Sequence, residues 1–84
     1  MATTVTFDIT SDDYVSVETT ASMTFTSGTA YSIQGLNGDY KVRRGSSGEG
    51  IYVPSLEKWT YNSDGEDIEI KKMHQGALTI TIID

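Results

Sequence analysis

Few side chains in this chain are equipped for chemistry, and their spacing assigns most of them to turns. His74 is the single histidine and stands in Met73-His74-Gln75-Gly76. A histidine works as a general base when a third group orients it and a nucleophile lies within reach. No Gly-x-Ser-x-Gly elbow occurs anywhere, so an exposed turn histidine without a catalytic role is expected. The acidic run Asn62-Ser63-Asp64-Gly65-Glu66-Asp67 places oxygen ligands at alternate positions, as at the start of a calcium loop. Its glycine falls at the wrong place, a closing bidentate glutamate is missing and no helices flank it, so a solvated turn is expected and no metal. Gly45-Ser46-Ser47-Gly48-Glu49-Gly50 has the glycine content of a phosphate cradle but lacks the Gly-Lys-[Ser/Thr] ending and a following helix. It reads as a loop or a wide connection between sheets. No cofactor is expected.

The aromatic residues are the remaining candidates. Tyr40, Tyr52, Trp59 and Tyr61 cluster between positions 40 and 61 of the chain. Rings on a β-face anchor protein interfaces or stack on sugars, and they also fill cores. With one tryptophan and two phenylalanines in the whole chain, a core role is the default for Trp59 and Tyr61. All four are carried forward as interface candidates.

The segments that position these residues are strands. Turn clusters at Ser11-Asp12-Asp13, Ser27-Gly28, Asn37-Gly38-Asp39, residues 45–50, residues 62–65 and Gln75-Gly76 leave no room for a mean-length helix. Between them, apolar and polar residues alternate with the period of a half-buried strand. Residues 3–10 place Val5, Phe7 and Ile9 on one face; Tyr14-Val15-Ser16-Val17 follows. Ala21, Met23 and Phe25 alternate with Ser22, Thr24 and Thr26, and Ser27-Gly28 reads as a hairpin reversal into Tyr31-Ser32-Ile33-Gln34. Asn37-Gly38 then hands over to Tyr40-Lys41-Val42-Arg43. Ile51-Tyr52-Val53 stops at Pro54, a strand end or edge. Trp59 and Tyr61, Ile68 and Ile70, and Leu78, Ile80 and Ile82 mark the inner faces of the last three strands. A helical turn fits only at Ser55-Leu56-Glu57-Lys58. The expected fold is all-β: a single domain over residues 1–84, a small antiparallel β-sandwich or jelly-roll-like unit of about eight or nine short strands.

Composition narrows the partners. Twelve acidic against six basic residues give a formal charge of −6, which cannot supply the basic face that nucleic acid requires and disfavours anionic membranes. The pairs Arg43-Arg44 and Lys71-Lys72 form no patch on their own, because adjacent strand residues point to opposite faces. No apolar run approaches the ~20 residues that span a bilayer as a helix. Met1-Ala2-Thr3-Thr4 carries no basic and apolar leader, so no secretory signal is expected. Cysteine is absent, which excludes disulfides and thiolate metal sites. A chain of this size buries about 60–65% of its unfolded surface, and self-association is the support left to it.

Four stretches in order resemble a loose family of small bacteriophage virion structural proteins. They are Tyr31-Ser32-Ile33-Gln34 after a Gly-Thr turn, Tyr40-Lys41-Val42, Pro54-Ser55-Leu56-Glu57-Lys58-Trp59-Thr60-Tyr61, and Ile68-Glu69-Ile70-Lys71 with the final apolar strand. The resemblance covers about residues 29–83. Ser55-Leu56 departs from the Pro-Gly-Glu-x-Trp form usual at that turn. The resemblance implies a module repeated on a phage particle as a capsid decoration, neck, tail or fibre component, with no active site. The expectation is therefore a non-enzymatic virion protein, homo-oligomeric (for example a trimer) and bound to other virion proteins through β-edges and apolar contacts. Two other readings stand beside it: a carbohydrate-binding module stacking sugars on Tyr52, Trp59 or Tyr61, and an acidic anti-defence protein mimicking nucleic acid.

Overall fold

The computed structural model describes residues 4–45 and 48–84. Thr3 of the expected first strand, the rest of the Met1-Ala2-Thr3 start, and Ser46 and Ser47 of the glycine-rich loop lie outside the described residues. The chain forms β1 (Thr4–Ile9), β2 (Val15–Ser16), α1 (Val17–Ala21), β3 (Ala30–Gly35), β4 (Tyr40–Arg44), β5 (Ile51–Val53), β6 (Lys58–Asn62), β7 (Ile68–Lys72) and β8 (Leu78–Ile83). The eight strands build two antiparallel four-stranded sheets, β1-β8-β3-β6 (sheet A) and β2-β7-β4-β5 (sheet B), as expected for a small β-sandwich.

Alternation explains the core. Ile33, Ile80, Ile82 and Tyr61 of sheet A face Tyr40, Val42, Ile68 and Ile70 of sheet B, and all are buried. The outer face of sheet A is mostly polar, and there Thr6 and Thr81 share a hydroxyl hydrogen bond of 2.7 Å. Phe25 packs edge-on against Tyr31 and Tyr61 at centroid distances of 4.9 and 5.1 Å, an arrangement favoured by the ring quadrupoles.

Partners differ from the sequence expectation more than faces do. Residues 22–26 are not a strand: Met23 is half-buried and Phe25 buried, in the expected alternation, but the segment pairs with no ladder. Ala21, the first residue of the expected alternation, belongs to α1 instead. Ser16 caps that helix by accepting from Thr19 N–H, and Ser22 ends it in a left-handed conformation. Asp67 fixes the helix start, accepting from Glu18 N–H at 3.0 Å and from the Ser16 hydroxyl. The Ser27-Gly28 hairpin therefore does not form, and β3 pairs with β6 and β8. Residues 55–57 form a turn and Lys58 opens β6, so the helical turn expected at 55–58 is absent. The Asn37-Gly38, residue 62–65 and Gln75-Gly76 turns each carry the chain from one sheet to the other, while the loop after Arg44 joins β4 to its antiparallel neighbour β5.

Gly35 leaves room for a contact between the two sheets. A Cβ there would come within 2.6 Å of the Gly38 carbonyl oxygen and 3.1 Å of the Tyr40 ring. With no side chain in the way, the Tyr40 ring reaches from sheet B to sheet A, where its hydroxyl donates to Ile33 O at 2.8 Å. Burial pushes the Tyr40 phenol far above its ordinary range, so it stays neutral in the folded protein. Tyr40→Phe keeps the ring and removes one buried hydrogen bond, with an expected loss of about 1 kcal/mol. Tyr40→Ala opens a cavity and should lose about 3–5 kcal/mol. Urea unfolding of the two variants checks the difference.

Candidate functional site

Four connections meet at one end of the sandwich: residues 10–14, 36–39, 54–57 and 73–77. Polar side chains fix them to one another. Asn37 donates to Ala77 O at 3.2 Å and accepts from Thr79 N–H at 2.8 Å. Asp39 accepts from the Tyr52 hydroxyl and from Ser55 N–H at 2.7 Å, while its backbone carbonyl accepts from Met73 N–H at 3.3 Å. Lys72 occupies an inner position of β7, with its side chain only 3% exposed. Its ammonium exits at this end, donating to Asp12 Oδ1 at 2.8 Å and to His74 O at 3.1 Å. The His74 ring lies against Gly38, where a Cβ would come within 2.5 Å of it.

The electrostatics are those of a clamp. The Tyr52 hydroxyl, then Ser55 N–H, hold the Asp39 carboxyl below its usual range, and Asp39 in turn raises the Tyr52 phenol. Lys72 lowers the Asp12 carboxyl by hydrogen bond and charge. Both oxygens of Asp39 are engaged by groups that fasten loops, and among the described residues no hydrogen bond joins the His74 ring to a serine, threonine or lysine side chain.

Around the clamps stands an apolar rim. Leu36, Tyr52, Leu56 and Met73 are all exposed. Leu36, Leu56 and Met73 belong to three loops, drawn together with Tyr52 of β5 by the bonds above and by Leu56 N–H donating to Gly35 O at 2.8 Å. Leu56 is 61% exposed and has φ +70°, a left-handed conformation that costs a bulky side chain about 1–2 kcal/mol.

The four aromatic candidates separate. Tyr40 and Tyr61 are fully buried core residues, so as interface candidates they are corrected: neither ring reaches the surface of this fold. Tyr61 points inward because β6 alternates against β3, and its hydroxyl donates to Glu66 O at 2.8 Å. Trp59 is half-buried on the same inner face, stacked on Tyr61 at 5.8 Å and 8°. Tyr52 alone is well exposed, on the outer face of sheet B. The four do not form one stacking platform.

The other sequence candidates are occupied structurally. Asp64 accepts from Glu66 N–H and Tyr61 O–H and pairs with Arg44. Asp67 serves α1. Among the described residues, no group of three or more His, Cys, Asp or Glu is placed to hold a metal ion. Arg43 pairs with Glu69 at 2.6 Å and lies over the Tyr14 ring at 3.9 Å. Register brings Lys41 directly opposite Lys71, a like-charge pair invisible until strand partners are known. At the opposite end, Val5, Met23, Tyr31 and Ile82 line an open groove of about 200 Å³. Among the described residues, no helix is long and apolar enough to cross a membrane. Comparison with protein-family models, curated proteins and solved structures returns no match.

The Asp39 clamp makes the loop end acid-sensitive. A carboxyl held low in the folded state contributes stability that is complete above its ordinary value of about 4 and is lost as pH falls through the lowered one. Asp39→Asn should therefore destabilise the protein at neutral pH and flatten the stability loss below about pH 4. Thermal unfolding of both proteins from neutral to acid pH checks this. Parallel curves would contradict it.

Proposed function

We propose that the chain is a non-enzymatic structural module that works by assembly, and that its setting is the bacteriophage virion, the setting implied by the resemblance of residues 29–83. The observation that carries the assembly reading is Leu56. A leucine at this position exposes apolar surface and also strains its backbone, where glycine would do neither. Most of that side chain's surface stays outside the fold. Its use lies outside the molecule, in a contact that buries it together with Leu36, Tyr52 and Met73.

The hydrogen bonds of Asn37, Asp39 and Lys72 support the same reading. They fix the loops before any partner arrives, which reduces the ordering entropy that binding must overcome. Rigid loops that present apolar side chains suit docking between subunits, whether copies of this chain or other virion proteins.

Leu56→Gly separates folding from assembly. The variant removes strain, so its melting temperature should equal or exceed that of the parent, while its association should weaken. Light scattering across a concentration series checks both proteins against the 9.2 kDa chain mass. The parent should exceed that mass as concentration rises, and the variant should stay closer to it. A parent that remains at the chain mass throughout, or a variant that associates equally well, contradicts the proposal.

A further inference from the structure

The two sheets end differently at their borders. Those of sheet B are two and three residues long, Val15–Ser16 and Ile51–Val53, the second closed by Pro54, which has no N–H to offer. Those of sheet A run six and five residues, Thr4–Ile9 and Lys58–Asn62, with unbroken register and no proline. Natural sheets usually blunt such borders, and those of sheet A are neither shortened nor closed by proline.

Bonds at the strand ends reveal which way the border amides point. Ser63 N–H donates to Thr29 O in the register of the β3–β6 ladder, so odd positions of β3 and β6 face each other. Leu36 N–H donates to Thr79 O, so odd positions of β8 face β3 and even ones face β1, opposite Val5, Phe7 and Ile9. By alternation, the N–H and C=O groups of Thr4, Thr6 and Asp8, and of Lys58, Thr60 and Asn62, point out of the sheet. The Asn62 carbonyl takes one long bond, 3.4 Å, from Arg44 and keeps a second lone pair.

We propose that β6 of one copy adds antiparallel to β1 of the next, with Lys58 opposite Asp8, Thr60 opposite Thr6 and Asn62 opposite Thr4, so that sheet A continues from molecule to molecule. This rests on the assembly reading above and names the strands that carry it. The directions agree: β1 and β3 both run antiparallel to β8, and β6 runs antiparallel to β3. Each of the three pairs is of the kind that exchanges two hydrogen bonds. The faces agree as well. Even positions on both strands carry exposed outer side chains, which joins the Lys58 ammonium to the Asp8 carboxylate and threonine to threonine. Odd positions set Trp59 against Phe7 and Tyr61 against Val5, and the single molecule leaves Trp59, Phe7 and Val5 only partly covered.

Other pairings fit less well. A symmetric β6–β6 contact about Thr60 puts Lys58 against Asn62, and β1–β1 about Thr6 puts Asp8 against Thr4, so neither joins opposite charges. A one-residue slip turns inner side chains outward, and a two-residue slip parts Lys58 from Asp8. Because two different borders meet, the contact is heterologous; it closes into a ring or runs on as a filament according to the rotation per subunit.

The chain has no cysteine, so a Thr6→Cys/Thr60→Cys double variant reports this register directly. Opposed residues of a bonded pair have Cα atoms about 5.5 Å apart, within disulfide range. Inside one molecule β1 and β6 are three strand spacings apart, roughly 14 Å, beyond it. Under mild oxidation the double variant should give a ladder of multimers on a non-reducing gel, with 6–60 links outnumbering 6–6 and 60–60 links by mass spectrometry. Should the double variant not fold, an equimolar mixture of the single variants should give the 6–60 dimer. Lys58→Asp in the double variant should shorten the ladder, and adding Asp8→Lys should restore it. Predominance of 6–6 or 60–60 links, or no linking above a Thr20→Cys control, overturns the proposal. If the cysteine-free parent still associates in light scattering, only these strands are wrong; if it remains a monomer, the assembly reading fails with them.

Discussion

The fold depends on one ring lying under one missing side chain. Gly35 leaves the space through which Tyr40 crosses from sheet B to the backbone of sheet A. The phenol is buried, yet its hydroxyl meets Ile33 O, so the polar end costs little while the ring contributes its full apolar surface. Tyr40 is among the largest fully buried side chains, and its hydroxyl ties one sheet to the backbone of the other. Gly35 and Tyr40 also bracket the turn at Asn37-Gly38-Asp39, and the same contact holds the residues that fasten the loop end.

From that constraint the molecule divides its labour. Inside, every buried side-chain nitrogen or oxygen among the described residues has a partner, so the interior is saturated. At the loop end, Asp39 and Lys72 use their charges to fix connections whose apolar side chains face outward. Along the borders, sheet B stops short while sheet A leaves two full strands open. A molecule closed within and open at defined places is suited to being a repeated part. Sheet continuation and loop-end docking use different surfaces, and both can operate in one assembly.

Faces were legible in the sequence and partners were not. The alternation of Val5-Phe7-Ile9, Ile68-Ile70 and Leu78-Ile80-Ile82 gave the inner sides correctly, because a period of two is a local property. Local reading paired neighbours in sequence, however, and most connections here cross between sheets; the Ser27-Gly28 hairpin failed because residues 22–26 join no ladder. Residues 22–26 show the limit clearly: burial alternates as in a strand, yet no ladder forms, since the Ser16 cap and the distant Asp67 carboxylate draw the preceding residues into α1. Tyr40 and Tyr61 were singled out as rings, but whether a ring faces a partner or the core depends on its strand's place in the sheet. Leu56 gave no signal in its type or spacing; its exposure and left-handed backbone exist only in three dimensions.

The central claim is that sheet A is closed internally and open at its borders until another copy arrives. Amide hydrogen exchange, followed residue by residue as protein concentration rises, tests this most directly. In dilute solution the amides of Thr6, Asp8, Lys58 and Thr60 should exchange rapidly while those of Trp59 and Tyr61 are protected; at high concentration the first group should slow and the second should not change. Border amides that are already protected in dilute solution, or that exchange at one rate across the whole range, would contradict the account.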